Sequence, residues 1–495
     1  MKKWMGLCVA LLSGLLSYAQ APAFEWGTSL IKPANELDVK VYGNATDGYF
    51  VVNKRAAGFG EFNPTVTVDY FNENMERRYS VNMTCKPIED FSGIVYLNKS
   101  IYCFTALFSK EAGKNTLTAR VFHSDGNVDE PVVVASMPAE KLVSRGRFIV
   151  TASPDGKKLL VVAEPNFVKE ENERISLSLF DTQLKKLWSA EKTYTYQWTR
   201  AVENTPYVNN DGTAFIMKKT DMKGDNNTYS VFSFNGQQLK EFKIALEGKQ
   251  KIHTHVEVLA PNGDFVVGGY YTEDAKVNVR MGTAIMGSFI QRIDSKGDAQ
   301  KFYIVNPFEK RKDVVAKNIL FHNNNTILMG ERYFVNTTSA PRDPSNPNQD
   351  PFAKDYSYNG YDVIIDCYDA AGKPMYASSI EKSNSSKNDN GTWVSYFGSV
   401  INGKLYIIFN DDKNRYDEKK KAVTFGGTVR IVVYATLDPA TGAVTPAQPI
   451  PNMGPVGGKE STMLSRPDVF LKVDETHYII RAENRDEYRM ARVSF

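Results

Sequence analysis

SPDGKKLLVVAE (residues 153–164) places a polar turn directly before an apolar β run. Its Asp-Gly tip supplies the positive φ angle that a tight hairpin needs. The same order recurs along the chain. TDGYFVVNK begins at Thr46, LNKSIYCFTAL at Leu97, NNDGTAFIMKK at Asn209 and APNGDFVVGGYY at Ala260. HNNNTILMGERY begins at His322, INGKLYIIFND at Ile401 and VDETHYIIRAEN at Val473. These eight occurrences are spaced by about 50 to 80 residues, the spacing of a repeat architecture.

The first seven units each carry a second turn some 25 residues downstream. YFNENMERR (70–78), VFHSDGNVDE (121–130), LFDTQLKKL (179–187) and SFNGQQLKEF (233–242) belong to this set, as do RIDSKGDAQ (292–300), CYDAAGKPM (367–375) and TLDPATGAV (436–444). Two hairpins per unit make four antiparallel strands, and four such strands repeated around an axis are a propeller blade. Segments such as LDVKVYG, TVTVDYF, RISLSLF, TYSVFSF and VRIVVYATL carry the β-branched and aromatic residues of strands. Helical periodicity is nearly absent; PAEKLVSR (138–145) reads as one short helical turn.

The last unit lacks its second hairpin. After VDETHYIIRAEN the chain offers YRMARVSF and ends at Phe495. FEWGTSL (24–30) is a strand without a unit of its own, and pairing it with the C-terminal blade would remove two open sheet edges. The expected fold is therefore all-β: a single eight-bladed β-propeller over residues 20–495, closed by an N-terminal strand. A seven-bladed ring with one degenerate unit and a pair of β-sandwiches stay open at this point.

SPDGKKLLVVAE resembles the hairpins of TolB-like and WD40-like propellers. APNGDFVVGGYY, followed by GSFIQRIDSKGDAQKFYIV, is similar to the blades of secreted and periplasmic bacterial propellers. The resemblance spans most of the chain and implies an architecture. It implies no catalytic residues, because this fold hosts binders, scaffolds and enzymes alike. No W-D dipeptide recurs, and repeated S-x-D-x-G-x-x-W boxes are missing.

The N-terminus reads as an export signal. Lys2 and Lys3 precede an apolar run over residues 4–16, and Ser17-Tyr18-Ala19 sets small residues before a cleavage point ahead of Gln20. The run is shorter than the ~20 residues of a membrane-spanning helix. Residues 1–19 are thus expected to be a signal peptide, and the mature chain to be periplasmic, with secretion or outer-membrane association as alternatives. The formal charge is +3, of which Lys2 and Lys3 contribute two, so charge gives no argument for nucleic acid.

Of the four cysteines, Cys85 and Cys103 fall in neighbouring strands and are a candidate disulfide for an oxidising compartment, whereas Cys367 reads as a small buried hydrophobe. Three insertions fall between the second and third strands of their units: 271–287, the Pro- and Asn-rich 336–361 and the charged 410–427. Turns of a propeller alternate between its two faces, so these insertions should cluster on one face, where binding commonly sits. Tyr356, Tyr358 and Tyr416 within them, and Trp393 beside a polar loop, are the candidate ligand- or partner-binding residues. Trp188 reads as a strand residue packed on a neighbouring blade.

His253, His255 and Glu257 form His-x-His-x-Glu on a strand, where residues two apart share a face; they are the candidate metal ligands, without a specified fourth. NNDGT (209–213) and DMKGDNN (221–227) have oxygen ligands but not the calcium-loop spacing, and read as ordinary turns. Asp411, Asp412, Asp417 and Glu418 read as solvated charges. No G-x-S-x-G, H-E-x-x-H or phosphate loop occurs, and no cofactor is expected. The sequence favours a non-catalytic module of the cell envelope with a protein partner, a glycan being a further candidate. The alternative is a carbohydrate-active or other hydrolytic propeller with a cleft over the central channel.

Overall fold

The computed structural model describes residues 21–495 except 34–35, 45, 56–64, 87, 167, 169, 198–201, 221–226, 274–281, 340–353, 417–429, 451–462 and 485. Its strands form eight antiparallel sheets in a ring, the blades of a β-propeller. Blades 1 to 7 span residues 36–84, 89–138, 147–197, 202–244, 251–312, 314–380 and 396–449. In each, four strands a to d follow one another in sequence and in space. Strand a is innermost: strands a of neighbouring blades touch, as blade 3 with blades 2 and 4 and blade 6 with blades 5 and 7.

The quoted run shows why the fold takes this form. In blade 3, strand a (Arg147–Ala152) pairs with strand b (Leu159–Glu164) across the Ser-Pro-Asp-Gly turn, with Gly156 at φ 63°. Leu159, Val161 and Ala163 pack on Val95, Phe104 and Ala119 of blade 2. Leu160 and Val162 pack on Val208 and Ile216 of blade 4. Strand b is covered on both faces, so the run has no polar alternation. Each fully buried Val or Leu contributes roughly 1.5–3 kcal/mol. The pattern repeats around the ring, with one apolar core at every blade interface. Trp188 on strand d of blade 3 meets Phe234 of blade 4 edge-on, 5.1 Å between centroids.

Blade 8 has three C-terminal strands, Leu464–Lys472, His477–Glu483 and Glu487–Ser494, and takes its outermost strand from the other end of the chain. Ala23–Trp26 pairs with Glu487–Ser494 from Ala23↔Ser494 to Trp26↔Ala491, and Leu30–Ile31 continues the ladder. Phe24 and Trp26 stack at 5.5 Å and pack on the core between blades 7 and 8. The ring closes as expected from FEWGTSL.

The eight a–b turns and seven c–d turns lie on one face, the turn face. The b–c loops and the links between blades lie on the other, the loop face. All three insertions are b–c connections and so share the loop face. Both flanks of the Pro- and Asn-rich 336–361 insertion are strand. Strand b of blade 6 runs on to Ser339 and strand c starts at Lys354, with Asn336↔Ser357 and Ser339↔Lys354 in register. A short strand, Asn384–Lys387, pairs with the same extension. Blade 6 thus projects above the ring as a three-stranded wall. Residues 274–281, 340–353 and 417–427 of the insertions, and residues 1–20, lie outside the described residues. The short helical turn is a 3-10 turn, Leu142–Ser144.

Candidate functional site

A cavity of about 670 Å³ opens on the loop face where the strands a of blades 6, 7, 8 and 1 converge at the channel mouth. Its floor comes from bulges in those inner strands. In strand a of blade 6 (Val314–His322) Lys317 is the extra residue between Ala316↔Gly330 and Asn318↔Met329. In blade 8 residues 466–469 leave the ladder between Ser465↔Ala482 and Phe470↔Ile480, turning Arg466 and Asp468 into the cavity. A bulge re-aims side chains that a regular strand would hold in the sheet.

The wall is the link from blade 6 to blade 7, residues 384–395. Asn388, Asn390 and Gly391 all have positive φ (54°, 58° and 71°). Local hydrogen bonds hold this backbone. Asn388 Oδ1 accepts the Tyr356 N–H at 2.9 Å, and Asp389 Oδ1 accepts from the Gly391 N–H at 2.9 Å and the Ser386 hydroxyl at 2.7 Å. A side chain at Gly391 would press on Tyr333 and Tyr358 at 3.2–3.3 Å. The carbonyl of Trp393 accepts from Asn384 Nδ2 (2.6 Å) and Asn410 Nδ2 (3.0 Å), which fixes the tryptophan at the rim.

Charge beneath the cavity is buried and paired. Glu331, fully buried, accepts from the equally buried Lys382, from Ser395 Oγ at 3.0 Å, and faces Lys317 Nζ at 3.6 Å. Burial together with the Glu331 carboxylate pushes the nearby Tyr333 phenol up to about 12. On the opposite side Lys32 reaches the buried Glu483 at 2.7 Å, and Arg481 bridges Glu36 and Glu483 at 2.8 and 2.9 Å. Arg466 holds Asp468 at 2.7 Å. Lys32 also lies over the Trp393 ring, 5.1 Å from its centroid, and Lys317 over Tyr333, 4.4 Å away. Such cation–π contacts orient both partners.

Of the expected contact residues, Trp393 lines the cavity. Tyr358 is beside it, its hydroxyl 3.3 Å from Asn390 Oδ1, and Tyr356 stacks on Tyr358 at 6.5 Å, half exposed on the projecting wall. Tyr416 is different: its hydroxyl donates to Asp411 at 2.8 Å and its ring packs on the core between blades 6 and 7. Asp411 is not a solvated charge as expected; it is fully buried, and desolvation raises its carboxyl despite that hydrogen bond. Asp417 and Glu418 lie outside the described residues.

The structure does not assemble His-x-His-x-Glu. His253 is the extra residue of a bulge between Ile252↔Tyr271 and Thr254↔Tyr270, which breaks the two-residue alternation the reading relied on. His255 and Glu257 do meet, at 3.0 Å, and Tyr207 donates to Glu257 at 3.3 Å. Among the described residues no group of three or more His, Cys, Asp or Glu is arranged to hold a metal ion. Asn209 Oδ1 accepts the N–H groups of residues 211–213, so NNDGT is a capped turn. Cys85 and Cys103 are buried free thiols and not a disulfide; Cys103, on strand b of blade 2, faces the core shared with blade 1, and burial pushes its thiol up.

Lys32, Glu36, Lys317, Tyr333, Arg466 and Asp468 were not read from the sequence. They come from blades 1, 6 and 8 and from the segment that leads into blade 1, and the bulges that bring three of them together leave no pattern in the chain.

No family model and no curated protein matches the chain. Solved structures do. The WD40 domain of SCAP from fission yeast aligns over 97% of this chain and 99% of its own, at 9% identity and a TM-score of 0.38. Polysaccharide lyase Uly1 aligns over 82% and 89%, at 11% identity and 0.36. The β-propeller domain of the Trilobed protease from Pyrococcus furiosus aligns over 71% and 98%, at 11% identity and 0.35. At these values no activity, ligand or partner carries over, and the propeller assignment rests on the ring of sheets itself.

Proposed function

We propose that the protein is exported to the cell envelope and acts there as a non-catalytic binding propeller, holding its ligand in the loop-face cavity beside the blade 6 wall. One observation carries this reading. The cavity sits at the channel mouth, under the projecting insertion, and its walls are fixed by interlocked charges and side-chain-capped turns. Groups tied to one another hold a shape; a rigid concave surface binds without the entropy loss of ordering loops. The export step rests on residues 1–19 of the sequence.

The test uses two variants of the full chain: Trp393→Ala, and replacement of 340–353 by a short turn. Both should melt close to the wild type and lose retention on envelope fractions prepared from cells that make the protein. Normal retention of both variants would place binding elsewhere. Turnover of glycosidic or ester substrates, lost in Trp393→Ala, would replace this reading by the hydrolytic one.

A further inference from the structure

Resting on the binding role proposed for this cavity, we infer that its ligand is an uncharged saccharide chain. The first argument is charge balance. The lining carries Lys32, Lys317 and Arg466 against Glu36, Asp389 and Asp468. Behind it, Lys382 and Arg481 are matched by Glu331 and Glu483. An anionic ligand would draw Lys32 or Lys317 away from Glu483 or Glu331, which are fully buried and would be left without that counter-charge, a strongly unfavourable outcome; a cationic ligand would meet Lys32, Lys317 and Arg466 across the same cavity. A neutral ligand leaves every pair intact.

The second argument is the mixture of polar groups. Asn318 and Asn390 each commit an oxygen inside the protein, to the Ile319 N–H at 2.8 Å and to the Tyr358 hydroxyl at 3.3 Å. Both residues line the cavity, and their amide N–H₂ groups supply donors there. The Asp389 carboxylate accepts from the Ser386 hydroxyl and the Gly391 N–H through Oδ1, leaving Oδ2 as an acceptor. A sugar hydroxyl both donates and accepts, so it suits a wall that alternates fixed donors with fixed acceptors. Trp393 and Tyr333 add aromatic surface to the same wall, for the apolar C–H faces of a pyranose ring.

The third argument concerns length. Above the cavity, Tyr356 and Tyr358 continue the aromatic surface up the blade 6 wall, their rings near-parallel at 25°. Tyr356 is 41% exposed, the one ring among the exposed large apolar side chains of the described residues. A single sugar would not reach it; a chain seated in the cavity and running up the wall would.

Isothermal titration of the full-length mature protein with neutral hexasaccharides (gluco-, manno-, galacto-, xylo- and N-acetylglucosamine series), oligogalacturonate and heparin tests this. At least one neutral hexasaccharide should bind, with an affinity that changes less than about twofold between about 0.05 and 0.5 M salt. Trp393→Ala should weaken it about tenfold or more, Trp393→Phe by less than about threefold, and Tyr356→Ala by about threefold for the hexasaccharide but not for the disaccharide. Binding of the acidic oligosaccharides alone, falling with salt, would overturn the uncharged ligand. Saccharide binding indifferent to Trp393 would overturn the site. No saccharide binding, with envelope retention still lost in Trp393→Ala, would overturn the saccharide and leave the binding role standing; loss of neither would remove both.

Discussion

Replacing Lys382 by Met removes the main counter-charge of Glu331 at a place where both side chains are fully buried. Breaking a buried pair by removing one partner costs about 3–5 kcal/mol, because the remaining charge stays desolvated. Glu331 keeps Ser395 at 3.0 Å and Lys317 at 3.6 Å. The Lys317 attraction, about 4–5 kcal/mol at an effective dielectric near 20, is present before and after, so it caps the loss and favours the lower end, about 3 kcal/mol. For a chain of this size unfolding entropy is about 1 kcal/mol per degree, so Tm should fall by about 3 °C if the ring melts as one unit. Adding Glu331→Gln removes the stranded charge. The double variant should therefore recover about 1–2 kcal/mol over Lys382→Met alone, a positive coupling expected of residues in contact. Urea unfolding followed by circular dichroism gives the stabilities, and hydrogen exchange of the amides in 384–395 reports the wall beside the pair. A loss under about 1 kcal/mol for Lys382→Met, or strict additivity in the double variant, would refute the claim that this pair props the cavity wall.

Deleting residues 21–31 should destabilise the whole ring, by about 0.5–1.5 kcal/mol for each ladder hydrogen bond lost to Glu487–Ser494 and further for Phe24 and Trp26, and so lower its Tm; a truncated protein that melts like the intact one would end the closure argument. Cys85 and Cys103 should resist a thiol reagent in the native protein and react fully in denaturant, as mass spectrometry of labelled peptides would register. On the turn face, Asp474 accepts the Thr476 N–H and is further bonded by His477, which lowers its carboxyl to about 2. With the folded value below the unfolded one, its small stabilising contribution is complete above about pH 4 and fades as pH falls toward 2; NMR titration of the Asp474 carboxyl should find its midpoint well under that of an Asp474-containing peptide.

The turns made the ring legible. SPDG, NNDG, PNGD and their relatives mark every a–b hairpin, and the unpaired FEWGTSL marked the closing strand. These are local signals: a positive φ at a tip and an apolar run after it. Where the reading failed, the cause was geometry that leaves no local trace. A bulge at His253 undid a two-residue alternation that looked regular. Asn-, Ser- and Tyr-rich stretches flanking 340–353 are polar because they stand above the ring, and they are nonetheless strands because they pair with each other. Asp411 looked like one of a solvated cluster, yet it is buried beneath Tyr416 and Arg415. Trp393 was legible beside its polar turn; Lys32, Lys317 and Arg466 meet it only because the ring brings residues far apart in the chain to one mouth.

Photo-crosslinking from the loop face tests the central claim most directly. A benzophenone amino acid at Tyr356, half exposed above the cavity, should form an adduct in cells that make the protein. The same group at Gln183, exposed on a turn-face hairpin, should not. An adduct from Gln183 and none from Tyr356 would contradict the assignment of the loop face as the binding face.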